Sequence, residues 1–106
     1  MIDIGLLIDP DKIIKSLLIN GHSGFKEKGN DVVCSGVSTL VKTFELSLVN
    51  KKVNCKIIDD NYYELNIIDY NEEVKSELKG LCLFLTLGLK AISKKYTDNI
   101  KLRIKE

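Results

Sequence analysis

A chain of 106 residues suffices for one domain with its own core and is too short for two. Its 44% apolar and 29% charged residues make an ordinary globular composition. The net charge is +1, and Arg103 is the single arginine, which argues against the basic patch of a dedicated nucleic-acid binder. Cys34, Cys55 and Cys82 are odd in number and show no C-x-x-C spacing, so neither a disulfide framework nor a zinc site is indicated. No metal and no cofactor are expected, and reduced thiols fit a cytoplasmic protein. Met1 is followed by the acid Asp3 rather than by a basic leader. Residues 81 to 89, read as the longest apolar stretch, are far too few to span a bilayer, so no membrane partner is expected.

Residues 1 to 8 are apolar and β-prone and predict a first strand. Asp9-Pro10-Asp11 predicts a turn, with proline fixing the bend. Residues 13 to 20 then return as a second strand, which makes a hairpin. Gly21, Gly24 and Gly29 punctuate a segment too rich in glycine for regular structure, hence a loop. From 31 to 49 the spacing is helical, with Val33, Val37, Leu40, Val41, Phe44 and Leu48 on one stripe and Asp31 or Asn30 as cap. Val53, Cys55 and Ile57 alternate with polar residues as a half-buried strand, and residues 62 to 68 return after the Asp59-Asp60-Asn61 turn. A second helix is expected from 72 to 96, with Val74, Leu78, Leu81, Leu85, Leu89 and Ile92 as its core stripe. Ile100, Leu102 and Ile104 alternate in a last strand.

The order ββαββαβ predicts an α/β sandwich of the α+β type. It is a single domain over 1–106, with about five strands in a mixed or mostly antiparallel sheet and two helices. The second helix is apolar nearly all round between 81 and 89 and needs cover on more than one side. Leu83, Phe84 and Leu87 fall off its core stripe, which suggests a homodimer interface.

The residues that carry chemistry lie around the glycine-rich loop. His22 follows a strand, and Cys34 falls in the first turn of the next helix. There the macrodipole and unpaired amides favour thiolate, which predicts a lowered thiol pKa and amides able to hold an oxyanion. Asp31, Cys34 and Ser38 are spaced i, i+3 and i+7, so they share a face beside the apolar stripe. Asp31 either orients His22 or caps the helix. Ser38 either supports the site or back-bonds to the preceding turn. Phe25 is a lid contact or an anchor for the loop, and Gly21, Gly24 and Gly29 supply positive φ or close substrate approach. Taken by spacing alone, the bland alternative is a small buried cysteine and a solvated histidine. Cys55 and Cys82 sit among apolar residues and read as structural thiols.

The stretch G-H-S-G-F followed by G-N-D-V-V-C-S-G-V-S resembles the signature of the ribosomal-processing cysteine protease family, Prp. Its usual form is G-H-A, a short loop, then G-x-D-I-V-C-A-A-V-S. The matching positions are Gly21, His22, Gly29, Asp31, Val33, Cys34, Val37 and Ser38. Ser23 and Ser35 stand where alanine is usual, and L-G-L-K-x-I from 87 to 92 extends the similarity toward the end of the chain. The resemblance implies a catalytic dyad of Cys34 as nucleophile and His22 as general base and acid. It further implies removal of the N-terminal extension of large-subunit ribosomal protein twenty-seven, a homodimer, and a mobile loop that closes over the substrate. Two other readings fit the same residues: a ribosome-assembly module that binds this peptide without cutting it, or a thiol redox sensor at Cys34.

Overall fold

The computed structural model describes residues 1–21 and 31–106. Strands β1 (Ile2–Ile8) and β2 (Ile14–Gly21) form an antiparallel hairpin. Its turn is built by Asp9, whose Oδ1 accepts from the amides of Asp11 at 2.9 Å and Ile13 at 3.0 Å. After helix α1 (Val32–Asn50) come β3 (Asn54–Asp59) and β4 (Tyr63–Asp69), again antiparallel. A 3-10 turn, Glu72–Val74, leads into α2 (Lys75–Lys95), and β5 (Ile100–Lys105) closes the chain.

The sheet has five strands in the order β3-β4-β2-β1-β5. Only the β1–β5 pair is parallel, so the sheet is mixed. The expected order ββαββαβ and the α+β sandwich are what the structure shows. One face carries Ile2, Ile4, Leu6, Leu17, Leu65, Ile67 and Ile100, all buried. Leu7, Leu18 and Ile68 on the opposite face are exposed, so both helices cover one side and the sandwich has two layers.

The helix stripes follow from periodicity. In α1, Val33, Val37, Val41, Phe44 and Leu48 are buried as expected, while Leu40 is partly covered. Each fully buried aliphatic side chain contributes about 1.5–3 kcal/mol. By length and composition α1 could also cross a membrane, with 19 residues and mean hydropathy 1.5, a property the sequence reading gave to no segment. Its buried line on the sheet accounts for part of that composition, while Val32, Leu46 and Val49 on the same helix are exposed.

In α2 the buried line is Leu78, Cys82, Leu85, Thr86 and Leu89. The expected stripe is therefore right at Leu78, Leu85 and Leu89. Val74, Leu81 and Ile92 are only partly buried, and Val74 precedes the α-helix proper. The two helices run antiparallel: Ile92 packs so close to Gly36 that a Cβ there would meet its Cδ1 at 2.6 Å, and Lys51 pairs with Glu77 at the other end.

Midway along α1, Glu45 Oε1 accepts from the Tyr63 hydroxyl at 2.8 Å and Oε2 from Lys42 Nζ at 2.7 Å. The Lys42 ammonium, helped by that hydroxyl, holds Glu45 below the usual carboxylate value, while burial and then Glu45 push the Tyr63 hydroxyl up. A carboxylate whose folded pKa is depressed stabilises the fold above its unfolded value, and that contribution is lost as pH falls through the folded one. Glu45→Gln is therefore expected to lower the melting temperature at pH 7, with the gap to wild type closing below about pH 4. Equal gaps at both pH values would show that the charge on Glu45 contributes nothing.

Candidate active site

Gly21, the one described glycine of the expected site, lies at one end of the sheet. Ile2 lies opposite Gly21 on β2 and Ile100 on β5, and the Ile2 amide donates to Asn99 O at 2.8 Å. The last residue of β2, the first residues of β1 and β5, and the Asn99 carbonyl thus gather there. Gly21 has φ +85°, and a Cβ on it would collide with the carbonyl oxygen of Met1. Of the two roles foreseen for this glycine, positive φ is present, and the close approach that the structure shows is to the Met1 backbone. His22, Gly24, Phe25 and Gly29 lie outside the described residues, as does the loop expected to close over substrate.

Asp31 opens α1 as its N-cap, with extended backbone at φ −86° and ψ 104°. Its Oδ1 accepts from the Val33 amide at 2.9 Å and the Cys34 amide at 3.1 Å, and its carbonyl accepts from Ser35 N at 3.0 Å. A capping aspartate stabilises a helix by about 0.5–2 kcal/mol relative to alanine. Asp31 is itself buried, at 6% exposure, so those bonds are made away from bulk water.

This cap corrects one expectation. The first-turn amides of Val33 and Cys34 do not stand open for an oxyanion, because the Asp31 side chain already engages both, and Ser35 N makes the first helical bond to Asp31 O. The reason is elementary: an N-cap acts by consuming the orphan donors that would otherwise form such a hole.

Cys34 is partly exposed and packs against the rim of the core. Its Sγ donates to Asp31 Oδ2 at 3.4 Å, so the two oxygens of one carboxylate divide between helix amides and thiol. Ser38, one turn further on the same face, is exposed. It shows no back-bond of the kind that Thr43 and Ser47 make to Thr39 O and Thr43 O. The structure therefore brings Asp31 and Cys34 into contact and leaves Ser38 beside them without a bond to either.

The other two thiols sit differently. Cys82 is buried, accepts from the Ile14 amide at 3.4 Å, and is pushed up to about 11 by burial. Cys55 is partly covered between β4 and α1, and burial, then the charge of Glu45, raises it. Both fit structural thiols, although Cys55 is less enclosed than its alternation predicts. No group of three or more histidine, cysteine or acidic side chains among the described residues is arranged to hold a metal ion.

Comparison with known proteins places this geometry. The family model for cysteine protease Prp matches residues 1–101. The ribosomal processing cysteine protease Prp of Staphylococcus aureus is 23% identical over 110 residues, covering 99% of this chain and all of the relative. The crystal structure of an essential ribosomal processing protease Prp from S. aureus, in complex with a covalently linked product peptide, superposes with a TM-score of 0.87. It is 21% identical and covers 99% of this chain and all of that one. A second S. aureus Prp structure, with a substrate peptide, gives a TM-score of 0.81 at 18% identity over the same shares of the two chains.

Proposed function

Since the chain belongs to the cysteine protease Prp family, and is thus a cysteine-type peptidase, we propose that Cys34 and His22 form its catalytic dyad. The observation that carries this is the placement of Cys34. It is the one partly exposed thiol at a helix start among the described residues, and its Sγ lies 3.4 Å from the capping carboxylate of Asp31. The imidazole takes the Sγ proton and the thiolate attacks the peptide carbonyl. The protonated imidazole then passes its proton to the leaving amine, and a thioester acyl-enzyme remains. Water, deprotonated by the same imidazole, cleaves the thioester and restores the thiol.

The substrate in this reading is the N-terminal extension of large-subunit ribosomal protein twenty-seven. Support comes from the S. aureus relative, whose name is ribosomal processing protease and whose structures carry substrate and product peptides. The reaction belongs in the cytoplasm, where a catalytic thiol stays reduced. The test is to incubate the protein with that precursor and weigh the product. A mass lower by one short N-terminal peptide is expected, and an unchanged precursor over a long incubation would end the substrate assignment.

We further propose a homodimer through the helix layer. Leu83, Phe84 and Leu87 on α2 are 59%, 70% and 53% exposed, and Leu46 on α1 is 58% exposed. Phe84 also lines an apolar hollow of about 300 Å³ between the helices, together with Leu40, Phe44, Leu81 and Leu85. A contiguous apolar patch of this kind is unusual on a monomer. Sedimentation at micromolar concentration is expected to give twice the chain mass, 11.9 kDa per chain, and Phe84→Glu to give the monomer. A wild-type monomer would refute the dimer.

A further inference from the structure

The two edges of the sheet are built differently. β3, at one edge, carries a register shift between Asn54 and Cys55, an irregularity of the kind that blunts an edge against pairing. β5, at the other, runs unbroken beside β1 and pairs with no further strand among the described residues. Its outer backbone groups are therefore open to another chain in extended form. The side chains of β5 sort by face. Ile100 is buried beneath the helices, whereas Leu102 and Ile104 on the same face are only partly covered. Lys101, Arg103 and Lys105 lie on the opposite face and are all exposed. One carboxylate, Asp3 on β1, meets Arg103 at 3.8 Å, and among the described residues Lys101 and Lys105 have no ion-pair partner.

We propose that β5 is a docking edge for an extended segment of another protein, one that alternates acidic and apolar side chains. Laid beside β5, such a segment sets its acids against Lys101, Arg103 and Lys105, while its apolar residues complete the cover of Leu102 and Ile104. Opposite charges directly across two strands stabilise their pairing, and like charges oppose it. That sign excludes a second copy of β5, which would bring one row of cations against another. The other free edge of a second copy, β3, offers Lys56 and Ile58 on that face and no acid to answer the row. Lysines on an edge also deter unwanted pairing. An edge with that role alone would take an alternating acidic strand no better than a rearranged one. The inference does not depend on the reading of Cys34 and His22.

The experiment measures fluorescence anisotropy of two labelled eight-residue peptides of equal composition. One alternates glutamate and valine, and the other places all its glutamates before all its valines. The alternating peptide is expected to bind wild type at least about tenfold more tightly than the block peptide, because only alternation brings every charge to one face. Arg103→Glu combined with Lys105→Glu is expected to weaken the alternating peptide by about tenfold and to gain affinity for an alternating lysine–valine peptide. A second carboxylate at position 103 would face Asp3, so Arg103→Gln combined with Lys105→Gln serves as the measurement should the acidic variant melt at a lower temperature. Methylation of the peptide's backbone amides removes the donors that strand pairing needs and should abolish binding. Equal affinity for the alternating and block peptides would reduce the row to plain ionic attraction and overturn the proposal. So would the absence of binding to wild type, or binding that survives the substitutions or the methylation.

Discussion

Cys34→Ala is expected to release no shortened product from the ribosomal protein precursor, a loss of at least about a thousandfold relative to wild type. The covalent route needs a nucleophile at this position, and Cys55 and Cys82 cannot replace it. Cys82 is buried under β2, and burial holds both thiols in the protonated form. The fold should survive the change. Cys34 is only partly buried, and its backbone amide still donates to Asp31 Oδ1, so the cap on α1 keeps both of its amide bonds. Melting followed by circular dichroism should thus shift little while product mass vanishes. His22→Ala should be nearly as damaging, because removal of the general base leaves a thiol without a proton acceptor of suitable strength. Unimpaired cleavage by either variant would refute the dyad.

That expectation stands on residues the sequence identifies and on a geometry it reveals only in part. The hairpin of β1 and β2 was legible because Asp9-Pro10-Asp11 interrupts two β-branched runs. The α1 stripe was legible because its valines and leucines repeat at helical spacing over nineteen residues. In α2 the signal is weaker, since apolar residues occur nearly all round and periodicity no longer selects one face. The burial of Thr86 was missed for this reason, and Cys82, expected as a buried structural thiol from its apolar surroundings, was not placed on the core stripe. Thr86 tolerates burial because its hydroxyl donates to Cys82 O at 2.8 Å, a bond that no pattern of apolar residues encodes. The partial exposure of Leu81 and Ile92 was missed likewise, because those residues turn toward α1 instead of the sheet.

At the site, spacing put Asp31 and Cys34 on one face, and the resemblance supplied their chemical roles. Two expectations taken separately were incompatible: Asp31 as a cap and first-turn amides open for an oxyanion. The structure decides between them in favour of the cap, since a single carboxylate oxygen occupies both the Val33 and Cys34 amides. What spacing leaves open is the second oxygen. Its contact with Sγ depends on the χ angles of two side chains, and neither is written in an i, i+3 relation.

Gly21→Ala is expected to melt at a lower temperature, with about 1–3 kcal/mol of stability lost, and to cleave precursor at least about tenfold more slowly even well below its melting point. Two independent constraints act on this one residue. Its φ of +85° lies in the region where a side chain is strained whatever the surrounding space. Its Cβ would also collide with the Met1 carbonyl, which is backbone and cannot rotate aside. Relief requires the end of β2 to move away from the start of β1, and that pairing, Ile2 opposite Gly21, holds the point from which residue 22 departs. A shift of roughly 1 Å in a catalytic group can cost about a hundredfold in rate, so the activity loss should exceed what reduced folding alone explains. Gly5→Ala is the internal control. Gly5 lies on the same hairpin in β1, its φ is ordinary, and no atom stands within 4 Å of the Cβ it would gain. That variant should melt and cleave like wild type. If Gly21→Ala does the same, the strand end does not position His22, and the approach of the base to Cys34 must be set elsewhere in the chain.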